Sequence, residues 1–346
     1  MTALDDFQPP RWLRNPHVQS ILASGGMRRR LFPRRRAALE GSASEYILDC
    51  GDGVRLQGFL TRQHATAAPR ALVVLLHGWE GCVQSSYLLH TGSRLLAEGC
   101  DVLRLNFRDH GQTHHLNPGL FHSCRIDEVV GAVKRISELF PQRPLLIGGF
   151  SLGGNFALRV ALRARSAGIP LAWAFAVCPV ISPRAGLASI EAAPWFYEHY
   201  FMLKWRGSLR RKQKLFPREK FFNAAELRNN LRELTRSLVQ RHTDFGTLEN
   251  YLDGYSIADT ALAKLDIPTT ILTARDDPVI PVADFESLQL SASTQLRIVA
   301  HGGHCGFITG LSLHSWAEDF IVAQMRDFLR SQSSIDGNGS PGSPGA

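Results

Sequence analysis

The strongest constraint on the fold is an alternation of short apolar runs with segments of helical length. The apolar runs lie at residues 71–76, 144–149 and 171–177, a further strand is predicted at 101–106, and the helix-like segments between these strands lie at 87–98, 127–140 and 152–167. Each apolar run is far shorter than the roughly 20 residues of a membrane-spanning helix. Continuous apolar strands that alternate with helices form parallel sheets covered on both faces. The chain is therefore predicted to be an α/β protein with a mostly parallel central sheet and helices on both faces.

Two further patterns extend this sheet. Alternating residues at 45–48 and 54–60, joined by a turn rich in Gly and Asp, predict an antiparallel hairpin at the sheet edge. Near the C-terminus, strands are predicted at 267–273 and 296–300, followed by a helix at 315–329. The strand–helix alternation therefore resumes after a long interruption.

The interruption indicates how the chain is organised. Residues 180–258 hold no strong strand candidate and are rich in aromatic and basic residues, which favours a helical cap or lid insertion. Such an insertion usually covers the C-terminal edge of the strands, where open α/β sheets bind ligands. The α/β core is then predicted at 43–179 and 259–330, preceded by an N-terminal arm at 1–42 and followed by a disordered Gly/Ser/Pro-rich tail at 331–346.

The net charge of +8 is concentrated in two segments. Residues 204–220 carry +7 and the arginine runs at 28–30 and 34–36 carry +6, so the remaining residues sum to −5. Two interpretations stay open: a cap that approaches anionic lipid headgroups or acidic acyl substrates, and an ordinary solvated helix face. No nucleic-acid-binding module accompanies the charge, so nucleic acid is not an expected partner.

The cysteine pattern bears on the cellular compartment. Six cysteines are scattered at positions 50, 82, 100, 124, 178 and 305 without a CxxC pair. This spacing gives no zinc framework or dense disulfide scaffold and is typical of a reducing compartment. The first ten residues include two aspartates and two prolines and do not resemble a secretory signal. The chain is expected to be cytoplasmic, with peripheral contact to an anionic membrane left open.

The motif G-x-S-x-G occurs between a predicted strand and a predicted helix, which is the context that a catalytic serine of this type requires. Gly149-Phe150-Ser151-Leu152-Gly153 stands directly after an apolar strand and directly before a helix. In this context the small flanking residues permit a sharp turn that exposes the serine hydroxyl near the positive end of the helix. Ser151 is therefore the predicted nucleophile, and the alternative is a glycine-rich turn with an incidental serine.

A serine hydroxyl needs a histidine to take its proton and a carboxylate to orient that histidine. In this architecture the order along the chain is Ser, then Asp or Glu, then His. The loop after the strand at 267–273 contains Asp276 and Asp277, and the loop after the next strand contains His304 between glycines. Asp277 is favoured because the acid commonly lies four residues before a proline, but Asp276 stays an alternative. His304 is favoured over His301, which sits where the strand ends.

The segment HGWEG at residues 77–81 follows the strand at 71–76, where a second oxyanion donor is required. The predicted donors are the backbone N–H groups of Trp79 and of Leu152, the residue after the nucleophile. A plain strand-to-loop turn is the alternative. The segment 106–111 follows the next strand, and it either lines the pocket or only stabilises the loop.

Taken together, these residues resemble the α/β-hydrolase superfamily, and more closely its AB hydrolase 4 group of bacterial YheT-like hydrolases and mammalian ABHD1/ABHD2/ABHD3-like proteins. The resemblance covers about residues 9–330 and rests on NPHVQS at 15–20, HG at 77–78 with Gly81, SSY at 85–87, NFR at 106–108, GFSLGGN at 149–155, DDP at 276–278 and GGHCGF at 302–307. Two departures are Ser20, where the group usually has Thr, and Asp109, where it often has Gly. The mammalian members carry an N-terminal membrane anchor, which is not expected in this sequence.

The resemblance implies a catalytic triad of Ser151, Asp277 and His304 and esterase- or lipase-like activity on carboxylic esters, acylglycerols included. The predicted function is a serine hydrolase that cleaves a small-molecule or lipid ester through an acyl-enzyme, without a metal or organic cofactor. Two alternatives remain: an acyltransferase or phospholipase that uses the same triad, and a catalytically silent binding protein with this fold.

Overall fold

The computed structural model describes residues 7–24, 26–63 and 68–337 of the 346-residue chain. The strands in chain order are β1 (Ser44–Asp49), β2 (Arg55–Thr61), β3 (Leu72–Leu76), β4 (Asp101–Asn106), β5 (Leu145–Phe150), β6 (Leu171–Val177), β7 (Thr269–Ala274) and β8 (Thr294–Val299). They form one sheet with the order β1-β2-β4-β3-β5-β6-β7-β8.

The sheet is parallel except at one edge. β1 and β2 form the predicted antiparallel hairpin, and β2 also runs antiparallel to β4. All pairings from β4 through β8 are parallel, and every residue of β3 to β5 is buried. The predicted α/β fold class is confirmed, because strands that are buried along their whole length need cover on both faces and receive it here.

The helices supply that cover. In chain order they are α1 (Pro16–Ser24), α2 (Gly26–Leu31), α3 (Pro33–Glu40), α4 (Ser86–Ala97), α5 (Ile126–Leu139), α6 (Leu152–Ala164), α7 (Pro183–Ala192), α8 (Phe196–Leu215), α9 (Leu231–His242), α10 (Leu248–Asp253), α11 (Val282–Glu286) and α12 (Trp316–Gly337). Apolar side chains of α5 and α6 pack on one face of the sheet, and those of α4 and α12 pack on the other. None of the helices formed by the described residues combines the length and apolarity required to cross a membrane.

Residues 180–258 are all described and contain the helices α7 to α10 but no strand. Their buried side chains form a separate apolar cluster that includes Met202, Trp205, Leu234 and Leu238. Local capping fixes where two of these helices begin: the Asn230 side chain accepts from Glu233 N–H, and that of Thr247 accepts from Asn250 N–H. The buried side chains of this segment therefore build a helical layer with its own core.

The two ends of the chain are more regular than their composition indicates. The arm forms α1 to α3, and the Asn15 side chain begins α1 by accepting from the N–H groups of His17 and Val18 at 2.9 and 3.2 Å. At the other end α12 continues to Gly337, beyond the predicted start of a disordered tail at 331. Residues 331–336 contain neither Gly nor Pro, so nothing in them ends the helix. The rest of that predicted tail, 338–346, lies outside the described residues.

Candidate active site

Ser151 occupies the sharp turn between β5 and α6. Its backbone is left-handed, with φ 53° and ψ −122°, which is costly for a residue with a side chain. The turn brings α6 so close to β3 that only glycine fits after Leu152: a Cβ on Gly153 would lie 2.4 Å from the carbonyl oxygen of Leu76. The sequence therefore builds a strained elbow that holds Ser151 partly exposed at the C-terminal edge of the sheet.

Ser151, His304 and Asp277 form a continuous hydrogen-bonded chain. His304 Nε2 lies 2.9 Å from Ser151 Oγ, and His304 Nδ1 lies 2.8 Å from Asp277 Oδ2. Asp277 uses its other oxygen to accept from the N–H groups of Val279 and Ile280 at 2.8 and 3.0 Å. The carboxylate is buried and is held by its own loop, so it can orient the imidazole ring of His304 from a fixed position.

The neighbouring acid, Asp276, has a different set of partners. Its Oδ1 accepts from Gly303 N–H at 2.9 Å, and its Oδ2 lies 3.4 Å from Nδ1 of His301. Asp276 therefore supports the backbone at Gly303, just before His304, but it is not a hydrogen-bond partner of the His304 ring. Of the two alternatives for each role, the structure brings Asp277 and His304 to Ser151 and leaves Asp276 and His301 beside them.

The environment of His304 shifts its protonation. Burial of the ring acts to lower the pKa of His304, whereas Asp277 and Cys305 act to raise it, and the net pKa is well above 6.5. A histidine can take a proton from serine only when it is neutral. The arrangement therefore favours base chemistry on the alkaline side of this raised pKa.

Trp79 and Leu152 are the residues predicted to supply the oxyanion donors, and both lie next to the nucleophile. Leu152 begins α6 directly after Ser151, and Trp79 shares two cavities with Ser151. Within the described part of the chain, neither backbone N–H donates a hydrogen bond to another residue. Gly78 N–H, in contrast, donates to the Tyr87 hydroxyl at 2.9 Å, and this hydrogen bond fixes the turn. Two free donors beside Ser151 are what an oxyanion hole requires.

The segment 106–111 has contacts that stabilise the loop. Arg108 is buried and pairs with Glu128 at 2.6 Å, and the ring of His110 accepts from Glu80 N–H at 3.2 Å. Asn106 accepts from Val83 N–H at 3.0 Å. These contacts tie the loops after β3 and β4 together, which is the second of the two roles considered for this segment.

The arm supports the loop that carries His304, a role that the sequence reading did not assign. His304 N–H donates to Ser20 Oγ at 2.8 Å, and Ser20 in turn donates to Pro16 O at 2.7 Å. Gln19 is fully buried; its amide accepts from Ile308 N–H at 2.7 Å and donates to Ile308 O at 3.1 Å. The only available signal was the NPHVQS segment itself, which marks the family resemblance without showing what it contacts.

The segment 180–258 is anchored beside the site by a buried ion pair. Lys212 on α8 donates to Asp109 Oδ1 at 2.7 Å, and also to the carbonyl oxygens of His114 and Asn117. Burial raises the pKa of Asp109 and lowers the pKa of Lys212, although each charge counteracts the effect on the other. One cation of the basic segment is therefore internal, and it fixes α8 to the loop after β4.

Two cavities meet at Ser151. The first has a volume of about 120 Å³ and lies under the helices of 180–258. Its wall is mainly apolar and includes Trp79, Leu187, Phe201, Trp205, Leu238 and Ile280. The second reaches solvent between the arm and α8, and its lining includes Ser24, Tyr200, Lys204 and His304. An ester placed over Ser151 could thus direct one part inward and the other toward the opening, which we call the mouth.

Comparison with known proteins gives concordant matches. The profile of the family described as alpha/beta hydrolase fold matches residues 71–311. YheT of Escherichia coli (strain K12), a protein named as a proposed esterase, is 26% identical over 338 residues that cover 95% of each chain. The phospholipase ABHD3 of Mus musculus is 23% identical over 252 residues, which are 72% of this chain and 61% of that protein. The chain thus spans less than two thirds of that phospholipase.

A solved structure agrees on the architecture. An esterase from Pyrococcus furiosus aligns with a TM-score of 0.56 over 96% of this chain and 99% of that chain, at 16% sequence identity. At this identity the likeness bears on the fold.

Proposed function

This chain belongs to the alpha/beta hydrolase fold family, in the group of the YheT-like and ABHD3-like proteins, and we propose that it is a serine hydrolase that cleaves carboxylic esters. The observation that carries the proposal is the chain of contacts from Asp277 through His304 to Ser151, with distances of 2.8 and 2.9 Å. The relative YheT, which is named as an esterase, supports the same reaction class.

The proposed reaction begins with attack of Ser151 Oγ on the acyl carbon while His304 Nε2 takes the hydroxyl proton. Asp277 keeps the ring oriented through Nδ1 and stabilises the imidazolium that forms. The N–H groups of Trp79 and Leu152 hold the negative oxygen of the tetrahedral intermediate. His304 then protonates the leaving alcohol, and water releases the acyl group from Ser151 by the same steps in reverse.

We assign the acyl part of the ester to the apolar cavity. Its wall lacks charged groups among the described residues, and apolar walls favour a hydrocarbon over water. Its volume is near that of an apolar cavity of about 150 Å³ that holds a six-carbon ring. The substrate is therefore a small-molecule or lipid ester with a short acyl chain, and the alcohol part faces the mouth.

A phospholipase reaction is the second candidate, because a relative bears that name. It would use the same three residues, with a phospholipid in place of a simple ester. We also propose a reducing compartment such as the cytoplasm, which is supported by six free cysteines.

A fluorophosphonate probe tests the proposal directly, because it reacts with an activated serine. Labelling and hydrolysis of a p-nitrophenyl ester are expected in the wild type and should both be lost in Ser151→Ala. Ser24→Ala removes another serine that lines the mouth and should still be labelled. Folded wild-type protein that takes no label would instead favour a catalytically silent binding protein.

A further inference from the structure

The exposed apolar side chains are unevenly distributed over the surface. Twelve large apolar residues are exposed in the described part of the chain, and nine of them lie in the arm or on α8 and its first flanking residue. The nine are Trp12, Val18, Ile21, Met27 and Leu31 in the arm, and Trp195, Tyr200, Leu203 and Leu215 at α8. Large exposed apolar side chains grouped on one part of a protein mark an interaction surface.

The arm and α8 meet at the mouth of the active site. The ring of His17 on α1 packs against Phe196, and its Nδ1 lies 3.0 Å from the Tyr197 hydroxyl. Ser24 at the end of α1 and Tyr200 on α8 both line the mouth. In a helix, residues three or four apart share a face. Ile21 therefore lies beside Ser24, and Leu203 lies beside Tyr200, at opposite sides of the same opening.

The exposed side of α8 changes character along its length. Trp195, directly before the helix, is 76% exposed, and Leu203 in its first half is 62% exposed. Its later part carries the exposed cations Arg210 and Lys214, and residues 199–215 contain no Asp or Glu. Lys212 does not belong to this surface because it is buried against Asp109. Apolar side chains followed by unopposed cations suit the interface of an anionic bilayer, which offers an apolar interior beneath negative headgroups.

The arm repeats the same combination. Residues 7–39 contain eight arginines and no acidic residue. Arg28 is internal, since it is buried against Glu318, whereas Arg11, Arg14, Arg30 and Arg34 are exposed. An acidic soluble protein would meet the cations equally well, but it would leave the large side chains of Trp195, Leu203 and Ile21 without an apolar environment.

We propose that the arm and α8 form a docking surface for an anionic lipid bilayer, which places the mouth of the active site against the membrane. Trp195, Leu203 and Ile21 enter the headgroup region, and Arg210, Lys214 and the arm arginines contact the lipid phosphates. The proposal deepens the proposed function. It rests on that function in one respect, namely that an ester substrate enters through this mouth. Binding itself does not depend on catalysis.

Sedimentation with lipid vesicles tests the surface. The full chain should bind vesicles of phosphatidylcholine and phosphatidylglycerol in equal parts, bind phosphatidylcholine alone far less, and dissociate at high salt. Replacing Trp195 and Leu203 together by Ser should weaken binding by about tenfold or more. Reversing Arg210 and Lys214 together to Glu should weaken it similarly.

Leu311→Ser is the matched control, because Leu311 is 83% exposed but lies outside both segments. It should bind vesicles like the wild type. An unfolding temperature equal to that of the wild type shows that each variant is folded. Ser151→Ala should also bind like the wild type, which separates docking from catalysis. Absence of vesicle binding by the wild type, or binding as strong as the wild type's by both double variants, would overturn the proposal. So would capture of an acidic soluble protein without any binding to vesicles.

Discussion

Removing the Ser20 hydroxyl tests whether the arm positions the catalytic base. Ser20 is buried, and its oxygen is the acceptor for the backbone N–H of His304 at 2.8 Å. In Ser20→Ala this N–H loses its partner, and an orphaned buried donor costs about 1–3 kcal/mol. If the loop moves to recover a partner, His304 leaves its position opposite Ser151, and a loss of this size lowers kcat by about fivefold to about 150-fold.

The assay is steady-state hydrolysis of a p-nitrophenyl ester by wild type, Ser20→Ala and Ser20→Thr. We expect kcat to fall and KM to stay near the wild-type value in Ser20→Ala, because Ser20 lines neither cavity at Ser151. Ser20→Thr keeps the hydroxyl and should restore most of kcat. The pH midpoint of kcat should also move to lower pH, since a longer distance from Asp277 weakens one of the interactions that raise the pKa of His304.

Two results would refute this reasoning. One is a wild-type kcat and pH midpoint in Ser20→Ala, which would mean that the loop holds His304 without the arm. The other is equal loss in Ser20→Ala and Ser20→Thr together with a lower unfolding temperature, which would indicate a purely structural role.

Three further predictions concern the base, the cap anchor and the acyl cavity. Because the pKa of His304 lies well above 6.5, wild-type kcat/KM should fall as pH drops through that pKa. Asp277→Asn should lower kcat by about 10⁴ and move the midpoint of the pH profile to lower pH. An unmoved midpoint would count against Asp277 as a cause of the raised pKa. Lys212→Met leaves Asp109 buried without its cation and should destabilise the protein by about 3–5 kcal/mol in chemical denaturation, with partial recovery when Asp109→Asn is added. Leu238→Ala enlarges the acyl cavity and should shift the preferred p-nitrophenyl ester to a longer chain; an unchanged optimum would place the acyl group elsewhere.

The basic segment shows how a charge pattern can mislead until the chain is folded. In the sequence, Lys212 and Arg210 are equivalent members of one cationic run. In the structure, Lys212 is buried in an ion pair with Asp109, whereas Arg210 is exposed. Charge reversal of the whole run would therefore disturb the fold as well as the surface. A test of surface charge has to be confined to the exposed positions.

The sequence by itself determined the sheet, the elbow and the order of the reactive residues, because these follow from local rules. Apolar runs buried on both faces predict parallel strands, and G-x-S-x-G between strand and helix predicts the turn at Ser151. Tertiary structure decided whatever depends on contacts between distant segments. Asp276 and Asp277 are neighbours in sequence, and only the path of the loop turns one toward His304 and the other toward Gly303. The contact of Ser20 with His304 joins residues 284 positions apart, and no local pattern encodes such a distance.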